Sequence, residues 1–214
     1  KTIKKTFLKI FTILILTIAF VSCKDKSDEA KTTEATEATE DQATSAKYMA
    51  NPAESTIEWA GYKPTGQHNG TINLESGIFT VNNGKIESGT FLIDMASLKD
   101  NDGSARLEGH LKSADFFDVE KYASAAFEVT GFEEVDGKMM LSGNLALKDK
   151  KNNVTFPVTV SEDGNNYTIT SEMFTIDRSK WDVQYGSKSF FDNLGDKFIN
   201  DDIELKIVVK ASKS

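Results

Sequence analysis

The stretch "VTFPVTV", residues 154–160, decides the fold class. Every second residue in it is apolar: Val154, Phe156, Val158 and Val160. Because successive side chains of a β-strand point to opposite faces, this period of two predicts a strand with one buried face. The stretches "MMLSGNLAL" and "IELKIVV", which begin at Met139 and Ile203, alternate in the same way. The sequence therefore predicts a domain built mainly from β-strands.

Pairs of turn residues separate these alternating runs, with Asn-Gly at 83–84 and Asp-Gly at 136–137 and 163–164. Such pairs supply the positive φ angles that tight hairpins need. The pattern predicts eight strands, at 55–62, 70–82, 85–95, 124–135, 138–148, 151–161, 166–176 and 201–211. Eight antiparallel strands can form a sandwich, or they can close into a barrel that holds one small ligand.

Two segments do not alternate. The stretch "GSARLEGHLKS" from Gly103 is the best helical candidate, and we predict a short helix over 104–112, between the third and fourth strands. Residues 177–200 are predicted to be irregular. Gly77, inside the second predicted strand, indicates a bulge.

The N-terminus has the composition of a secretory signal. Residues 1–22 contain four lysines and no acidic residue, and the apolar run "IFTILILTIAFV" at 10–21 is too short to span a bilayer. We therefore expect residues 1–22 to be a signal peptide.

Cys23 follows that run in the tetrapeptide "FVSC", which resembles the lipobox of bacterial lipoproteins. The resemblance implies that Cys23 is acylated and anchors the protein to a membrane of the bacterial cell envelope, periplasmic or at the outer-membrane surface. The alternative is an ordinary cleaved signal with an incidental cysteine. Because Cys23 is the only cysteine, a disulfide within the chain is impossible.

Residues 23–47 lack aromatic and branched aliphatic side chains and are rich in Glu, Thr, Ala and Lys. Such a segment buries too little apolar surface to offset its ordering entropy, so we predict a disordered acidic tether before a domain at 48–214. Removal of residues 1–22 takes away four lysines and no acids, which moves the formal net charge from −8 to −12. This charge repels phosphates, so nucleic acid is not expected as a partner.

Three segments of the domain, in this order, resemble the YceI-like family of lipocalin-type, polyisoprenoid-binding proteins. They are "GHLKSADFFDVEKYASAAFEV", "NNVTFPVTV" and "FTIDRSKWDVQYG". The resemblance implies an all-β fold, an eight-stranded antiparallel barrel with a helix beside it and a long apolar tunnel inside. It also implies a lipid ligand: a polyisoprenoid, a quinone or a fatty-acid derivative. Ala123 stands where the family often has proline after "EKY", and the stretch from Trp59 to Gly77 looks like a lipoprotein subgroup.

Catalysis is not expected from the residues available. His68 and His110 are the only histidines, and no nucleophile-elbow motif is present. A metal would have to draw on His110, Asp115 and Asp118, whose spacing matches no standard ligand pattern. We therefore expect no catalytic residue, no metal and no cofactor.

The stretch "TIDRSKWDVQYG" at 175–186 has two interpretations. In the first it is a structural corner, in which Arg178 forms a bidentate pair with a carboxylate such as Asp115 or Asp182. In the second, Arg178 and Tyr185 lie at the tunnel mouth and hold a polar headgroup. Trp181 and Tyr185 suit a barrel end in both interpretations, because each ring is apolar with a polar tip.

Large apolar side chains from different strands are candidates for the tunnel lining. They are Trp59, Phe79, Phe91, Phe127, Leu141, Phe156, Met173 and Phe174. They could instead simply pack a core. The first case predicts a membrane-anchored, non-enzymatic carrier of a long apolar lipid. The second predicts a surface interaction or structural lipoprotein whose barrel is filled by its own side chains.

Overall fold

The computed structural model describes residues 27–214, which form twelve strands and one α-helix. The strands are β1 (Asp28–Glu29), β2 (Lys31–Glu34), β3 (Ala46–Ala50), β4 (Thr56–Lys63), β5 (Gly66–Asn82), β6 (Lys85–Asp100), β7 (Ser124–Val135), β8 (Lys138–Leu147), β9 (Lys150–Asp163), β10 (Asn166–Ser171), β11 (Phe174–Asp177) and β12 (Asp202–Lys213). Helix α1 spans Ala105–Lys112, and 3₁₀ turns cover Arg178–Trp181 and Gly195–Lys197. The predicted signal peptide and Cys23 lie outside the described residues. Within the described part, no helix has both the length and the apolar character needed to cross a membrane.

Eight of the strands close into a ring. The antiparallel order is β4-β5-β6-β7-β8-β9-β10-β12, and β12 returns to pair with β4, with Leu205 opposite Trp59. Closure satisfies the backbone groups that an open sheet leaves at its edges. The predicted eight-stranded antiparallel barrel is confirmed, and the sandwich alternative is excluded.

The predicted strands correspond closely to the observed ones, with one exception. The segment predicted as a single strand at 166–176 is divided into β10 and β11 by Glu172 and Met173. β10 pairs with both β9 and β12. Of these two strands, β11 pairs only with β12. The helix predicted at 104–112 begins one residue later, because Ser104 is its N-cap and its Oγ accepts a hydrogen bond from the Leu107 amide at 3.3 Å.

The prediction of a disordered tether at 23–47 is wrong for the residues of this segment that lie in strands, at 28–29, 31–34 and 46–47. β1 pairs in parallel with β11, and β2 pairs in antiparallel fashion with β9. The pairing uses backbone groups, which every residue carries, so the polar side chains of this segment gave no signal of it. β3 begins inside the same segment, at Ala46, and pairs with β5 and β12.

The predicted bulge at Gly77 is also wrong, since Gly77 lies in register opposite Phe91. The register shifts of β5 fall on either side, at 71–73 and 74–76 before Gly77 and at 80–81 after it. Gly77 is required for a different reason. A Cβ atom there would lie 2.6 Å from the Phe91 Cδ1 and 2.9 Å from the Ala50 Cβ. Glycine therefore allows a close approach of β3 and the Phe91 ring to β5.

Packed aromatic side chains close one end of the eight-stranded barrel, the end that carries the Asn83-Gly84 and Asp163-Gly164 turns. Tyr48 stacks on Phe79 at a centroid distance of 5.5 Å, and Tyr167 packs against both rings. All three side chains are almost completely buried. The Tyr48 hydroxyl donates to Glu162 at 2.7 Å, whereas the Tyr167 hydroxyl is buried without a hydrogen-bond partner among the described residues.

Tyr167→Phe is expected to leave the melting temperature at pH 8 unchanged or higher, because it removes an unpaired buried hydroxyl. Burial raises the pKa of Tyr167 to about 12, with smaller contributions from Glu162 and Tyr48. The unfolded chain releases this proton near pH 10. The stability that the raised Tyr167 pKa contributes is therefore fully present below about pH 10 and is lost as the pH rises towards 12. The variant should lose less stability over that range in thermal melts. A melting temperature lowered by about 3 °C at pH 8, which corresponds to roughly 1 kcal/mol, would contradict this.

Candidate functional site

The ring encloses an apolar cavity of about 450 Å³. Each of the eight ring strands contributes inward side chains to its lining, and β11 and α1 contribute others. This follows from the alternation, because one parity of every strand points inward and those positions are largely aliphatic or aromatic. A cavity of this kind binds hydrocarbon without directional contacts.

Most of the predicted lining residues lie on this cavity. They are Trp59, Phe91, Phe127, Leu141, Phe156 and Phe174. The rings of Phe156 and Phe174 stack with centroids 4.2 Å apart and planes 4° apart. Gly143 gives Phe127 its position, since a Cβ atom there would lie 2.2 Å from the Phe127 Cζ. Ligand contact by these residues remains a prediction.

Two predicted lining residues lie elsewhere. Phe79 is fully buried in the aromatic stack with Tyr48 and Tyr167, beyond the end of the cavity. Met173 is 49% exposed because it lies in the break between β10 and β11, where the chain turns away from β9. Sequence alternation across 166–176 assumed one continuous strand and so could not place Met173.

The end of the cavity beside α1 is polar, and we call it the mouth. It is lined by Lys63, His68, His110, Tyr185, Lys197 and Asn200. No Asp or Glu is among the described lining residues, although the chain has a formal net charge of −8. The formally charged groups of the cavity are therefore cationic, which favours a ligand head that is anionic or accepts hydrogen bonds.

His68 at the mouth faces a buried carboxylate. Its Nδ1 lies 3.6 Å from the Asp100 Oδ1, and neither atom has a hydrogen-bond partner within the described residues. With the exposed Asp102, the three groups present donor atoms within 4.8 Å of one another, so they could hold a divalent cation. The other Asp100 oxygen accepts the Ser104 amide at 3.1 Å, which ties this carboxylate to the start of α1.

Helix α1 and the turn after it form one wall of the mouth. Leu107 and Leu111 point into the cavity, and Phe116 and Phe117 lie beneath the helix. The Tyr185 ring contacts the edge of His110 at a centroid distance of 4.5 Å and remains 45% exposed. His110 and Asp115 approach to 3.8 Å, at the surface of this wall.

Arg178 determines the path of residues 177–201. Its side chain is 1% exposed, and it donates to three carbonyl oxygens: Val183 at 2.6 Å, Asn200 at 3.2 Å and Ile199 at 3.2 Å. Its Nη2 also pairs with the Asp201 Oδ1 at 3.2 Å. The carboxylate partner is thus Asp201, not the predicted Asp115 or Asp182. The guanidinium lies 5.2 Å from the centroid of Phe116, which joins the corner to the wall below α1.

These contacts favour the structural-corner interpretation of Arg178. Burial lowers the pKa of its guanidinium, and Asp201 and Asp177 oppose that shift. The Arg178 side chain borders the cavity, but its donors are directed at the protein's own oxygens. Trp181 is fully buried and donates from Nε1 to the Leu145 carbonyl at 2.8 Å, so it belongs to the corner and does not line the cavity. Of the three predicted residues, Tyr185 alone is an exposed aromatic at the mouth.

Arg178→Ala is expected to destabilise the fold by about 3–5 kcal/mol, because it leaves Asp201 and three carbonyls without their partner. Arg178→Lys is the matched control. Lysine keeps the positive charge but lacks the planar set of donors of the guanidinium. We therefore expect Arg178→Lys to lose less stability than Arg178→Ala. Urea denaturation followed by circular dichroism measures both. A loss below about 1 kcal/mol for Arg178→Ala, with weakened ligand binding, would instead assign Arg178 to the headgroup.

The protein is a cavity-forming β-barrel: its antiparallel strands close around an apolar cavity whose mouth is cationic. Within this class, residues 48–211 match the YceI-like domain. The protein belongs to the YceI-like family, as the three sequence segments predicted. The match covers nearly the whole of the predicted domain at 48–214.

Two curated bacterial relatives carry the designation UPF0312 protein. The chain is 31% identical over 96 residues to the one of Pseudomonas putida and 30% identical over 93 residues to the one of Azotobacter vinelandii. The alignments cover 44% and 43% of this chain and 50% and 46% of the relatives. The chain therefore spans about half the length of the curated relatives it matches.

Two solved structures share the fold. BcnA of Burkholderia cenocepacia has a TM-score of 0.62 at 24% identity, covering 76% of this chain and 99% of its own. A polyisoprenoid binding domain from Saccharophagus degradans, implicated in plant cell wall breakdown, has a TM-score of 0.58 at 15% identity, covering 78% and 98%. At these identities the likeness establishes the fold alone.

Sequence reasoning did not single out Lys63 and Lys197. Each is one lysine among many, and only the ring brings the end of β4 and the segment before β12 to the same rim. The signal was positional: both residues adjoin strand ends that the antiparallel order places together.

Proposed function

We propose that this protein binds a long apolar lipid, a polyisoprenoid or quinone-like molecule, and carries it in the barrel cavity. The observation that supports this most directly is the cavity itself, lined by apolar side chains from every strand of the ring. The polyisoprenoid-binding character of the Saccharophagus degradans domain, which shares the fold, agrees with it.

Burial of hydrocarbon provides the binding free energy in this proposal. Each 100 Å² of apolar surface removed from water contributes about 2.5 kcal/mol, so a partly enclosed prenyl chain gains several times that amount. The wall residues Phe127, Phe156 and Phe174 offer flat, non-directional contacts that accept a flexible chain. Affinity then depends on chain length more than on the head.

Selection among lipids is assigned to the mouth. Lys63 and Lys197 provide positive charge there, and the neutral or protonated imidazoles of His68 and His110 provide further donors. A phosphate, a carboxylate or a quinone carbonyl offers the acceptor oxygens that these groups bind. A purely hydrocarbon guest would leave them without a ligand partner.

Binding without chemical conversion is the form of this proposal that the lining supports. Ser171 is the single serine among the described lining residues, and its Oγ accepts the Ile207 amide at 2.8 Å. That hydroxyl stabilises the junction of β10 and β12 and is not placed beside an imidazole that would activate it.

We further propose that acylated Cys23 anchors the protein in the bacterial cell envelope. The segment "FVSC", which follows the apolar run and resembles a lipobox, supports this. An anchor would keep the barrel close to the membrane that supplies its ligand and so raise the effective ligand concentration.

The test compares a substitution inside the cavity with one outside it on the same strand. Leu205→Trp fills the lumen, whereas Lys206→Trp places the same ring on the exposed outer face. We expect Leu205→Trp to weaken binding of a fluorescent prenyl alcohol at least tenfold and Lys206→Trp to leave it within about twofold, which is roughly 1.4 kcal/mol against 0.4 kcal/mol.

Circular dichroism establishes that both variants are folded. Equal binding by the two variants would place the lipid outside the barrel. In that case the alternative function, a surface interaction protein, would replace this one.

A further inference from the structure

Past the end of β10, the barrel wall contains a gap between the ring strand β9 and β11, which is not one of the eight ring strands. β10 ends at Ser171, opposite Val158 of β9, and the chain then moves away from β9. β11 resumes at Phe174 but pairs with β12 on one side and not with β9. Residues 152–156 of β9 and 174–177 of β11 therefore face each other across a gap, which we call the seam.

Residues 28–34, the seam strand, fill this gap. Asp28 and Glu29 lie opposite Phe174 and Thr175 in parallel pairing, and the Ala30 amide donates to the Thr175 carbonyl at 2.8 Å. Residues 31–34 then pair in antiparallel fashion with 152–155 of β9. The seam strand is therefore an additional strand of the barrel wall, in the half of the barrel nearest the mouth.

We propose that the seam is a side portal through which the lipid enters and leaves the cavity, and that the seam strand closes it. The proposal rests on the lipid-binding function proposed above. It adds the route, the moving element and the state in which the route is open.

The seam borders the cavity directly. Val154 and Phe156 on one side and Phe174 and Ile176 on the other all line the cavity. Neighbouring strands lie about 4.8 Å apart, so removal of one strand separates the backbones of β9 and β11 by about 10 Å. With four residues of about 3.3 Å each along the strand, the opening would be about 13 Å long. A prenyl chain is narrower than this opening, and the stacked Phe156 and Phe174 rings would be the first groups it meets.

The seam strand is weakly held compared with the ring strands. Ala30 is its one buried apolar residue, 4% exposed, whereas Lys31, Thr33 and Glu34 are exposed. Its ion pair, Glu29 with Lys180 at 3.3 Å, is at the surface, where such pairs contribute little. Segments with few buried apolar contacts open locally at a small fraction of the global stability.

Contacts beyond the seam strand keep it attached after release. The Asn144 side chain accepts the Thr36 amide at 3.0 Å and donates to the Thr36 carbonyl at 2.6 Å, and the Thr39 amide donates to the Val129 carbonyl at 3.2 Å. Asn144 is 3% exposed although it is on the outer face of β8. The chain is thus fixed to the outer wall downstream, so residues 28–34 can leave the seam as a hinged strap.

A side portal solves a problem of access. Entry through the mouth would require a long branched chain to thread lengthwise past His68, His110 and Tyr185, which line that end beside α1. Through the seam the chain can be laid in sideways while its head stays at the rim.

A reversible disulfide across the seam tests this. In the full chain carrying Cys23→Ser, Lys31→Cys and Thr155→Cys introduce thiols at opposed outward positions of β2 and β9. Stopped-flow fluorescence with a dansyl-labelled prenyl alcohol measures loading and release. We expect oxidation to slow both rates at least tenfold, reduction to restore them, and the Kd to stay within about threefold, since the closed structure is unchanged.

The matched control is Ser142→Cys with Thr155→Cys, which shares one position but links β8 to β9, two ring strands that stay paired when the seam opens. Oxidation of this control should leave both rates unchanged. A second variant acts in the opposite direction: Ala30→Asp puts a carboxylate into the buried position, expels the seam strand and should raise both rates at least threefold.

Four outcomes are decisive. Loading of the oxidised seam variant as fast as the control, or unchanged rates in Ala30→Asp, would overturn the portal while leaving lipid binding intact. Failure of the unlocked parent protein to bind the probe would overturn the proposed function itself. Slowing that is confined to the seam disulfide and reversed by reduction would support the portal.

Discussion

Backbone pairing between β12 and β4 is the interaction on which the rest of the structure depends. It joins the last strand of the chain to the first strand of the ring, with residues 203–208 opposite 56–61. Once the ring is closed, one parity of every strand must point into a common interior. Eight strands make that interior wide enough that inward Leu, Ile and Phe side chains leave a cavity instead of meeting at the centre.

The two ends of the ring differ because different residues close them. At the turn end, Tyr48, Phe79 and Tyr167 stack into a solid aromatic layer. At the other end, Arg178 ties residues 183–201 into a corner, and α1 covers part of the opening. This asymmetry gives the cavity one polar rim, where Lys63 and Lys197 lie, and one apolar floor.

The sequence predicted the ring strands because their alternation is local, and it predicted α1 because the segment after Gly103 interrupts that alternation. It did not predict the seam strand, since residues 28–34 have no apolar periodicity and their pairing depends on backbone edges of β9 and β11 far along the chain. The predicted carboxylate partner of Arg178 was wrong for a similar reason. Asp201 is 23 residues away in the sequence and lies beside Arg178 only because residues 177–201 form the corner. Whether inward Phe residues fill or line a barrel depends on its diameter, which alternation does not encode.

The central claim is that the hollow of the ring holds a lipid. Native mass spectrometry of the protein purified from its native host, under conditions that preserve non-covalent complexes, tests it most directly. The account predicts one added mass per chain that is released by collisional activation and has the composition of a long-chain lipid with an oxygen-bearing head. A spectrum showing only the mass of the empty chain, unchanged after incubation with excess prenyl lipid, would contradict it.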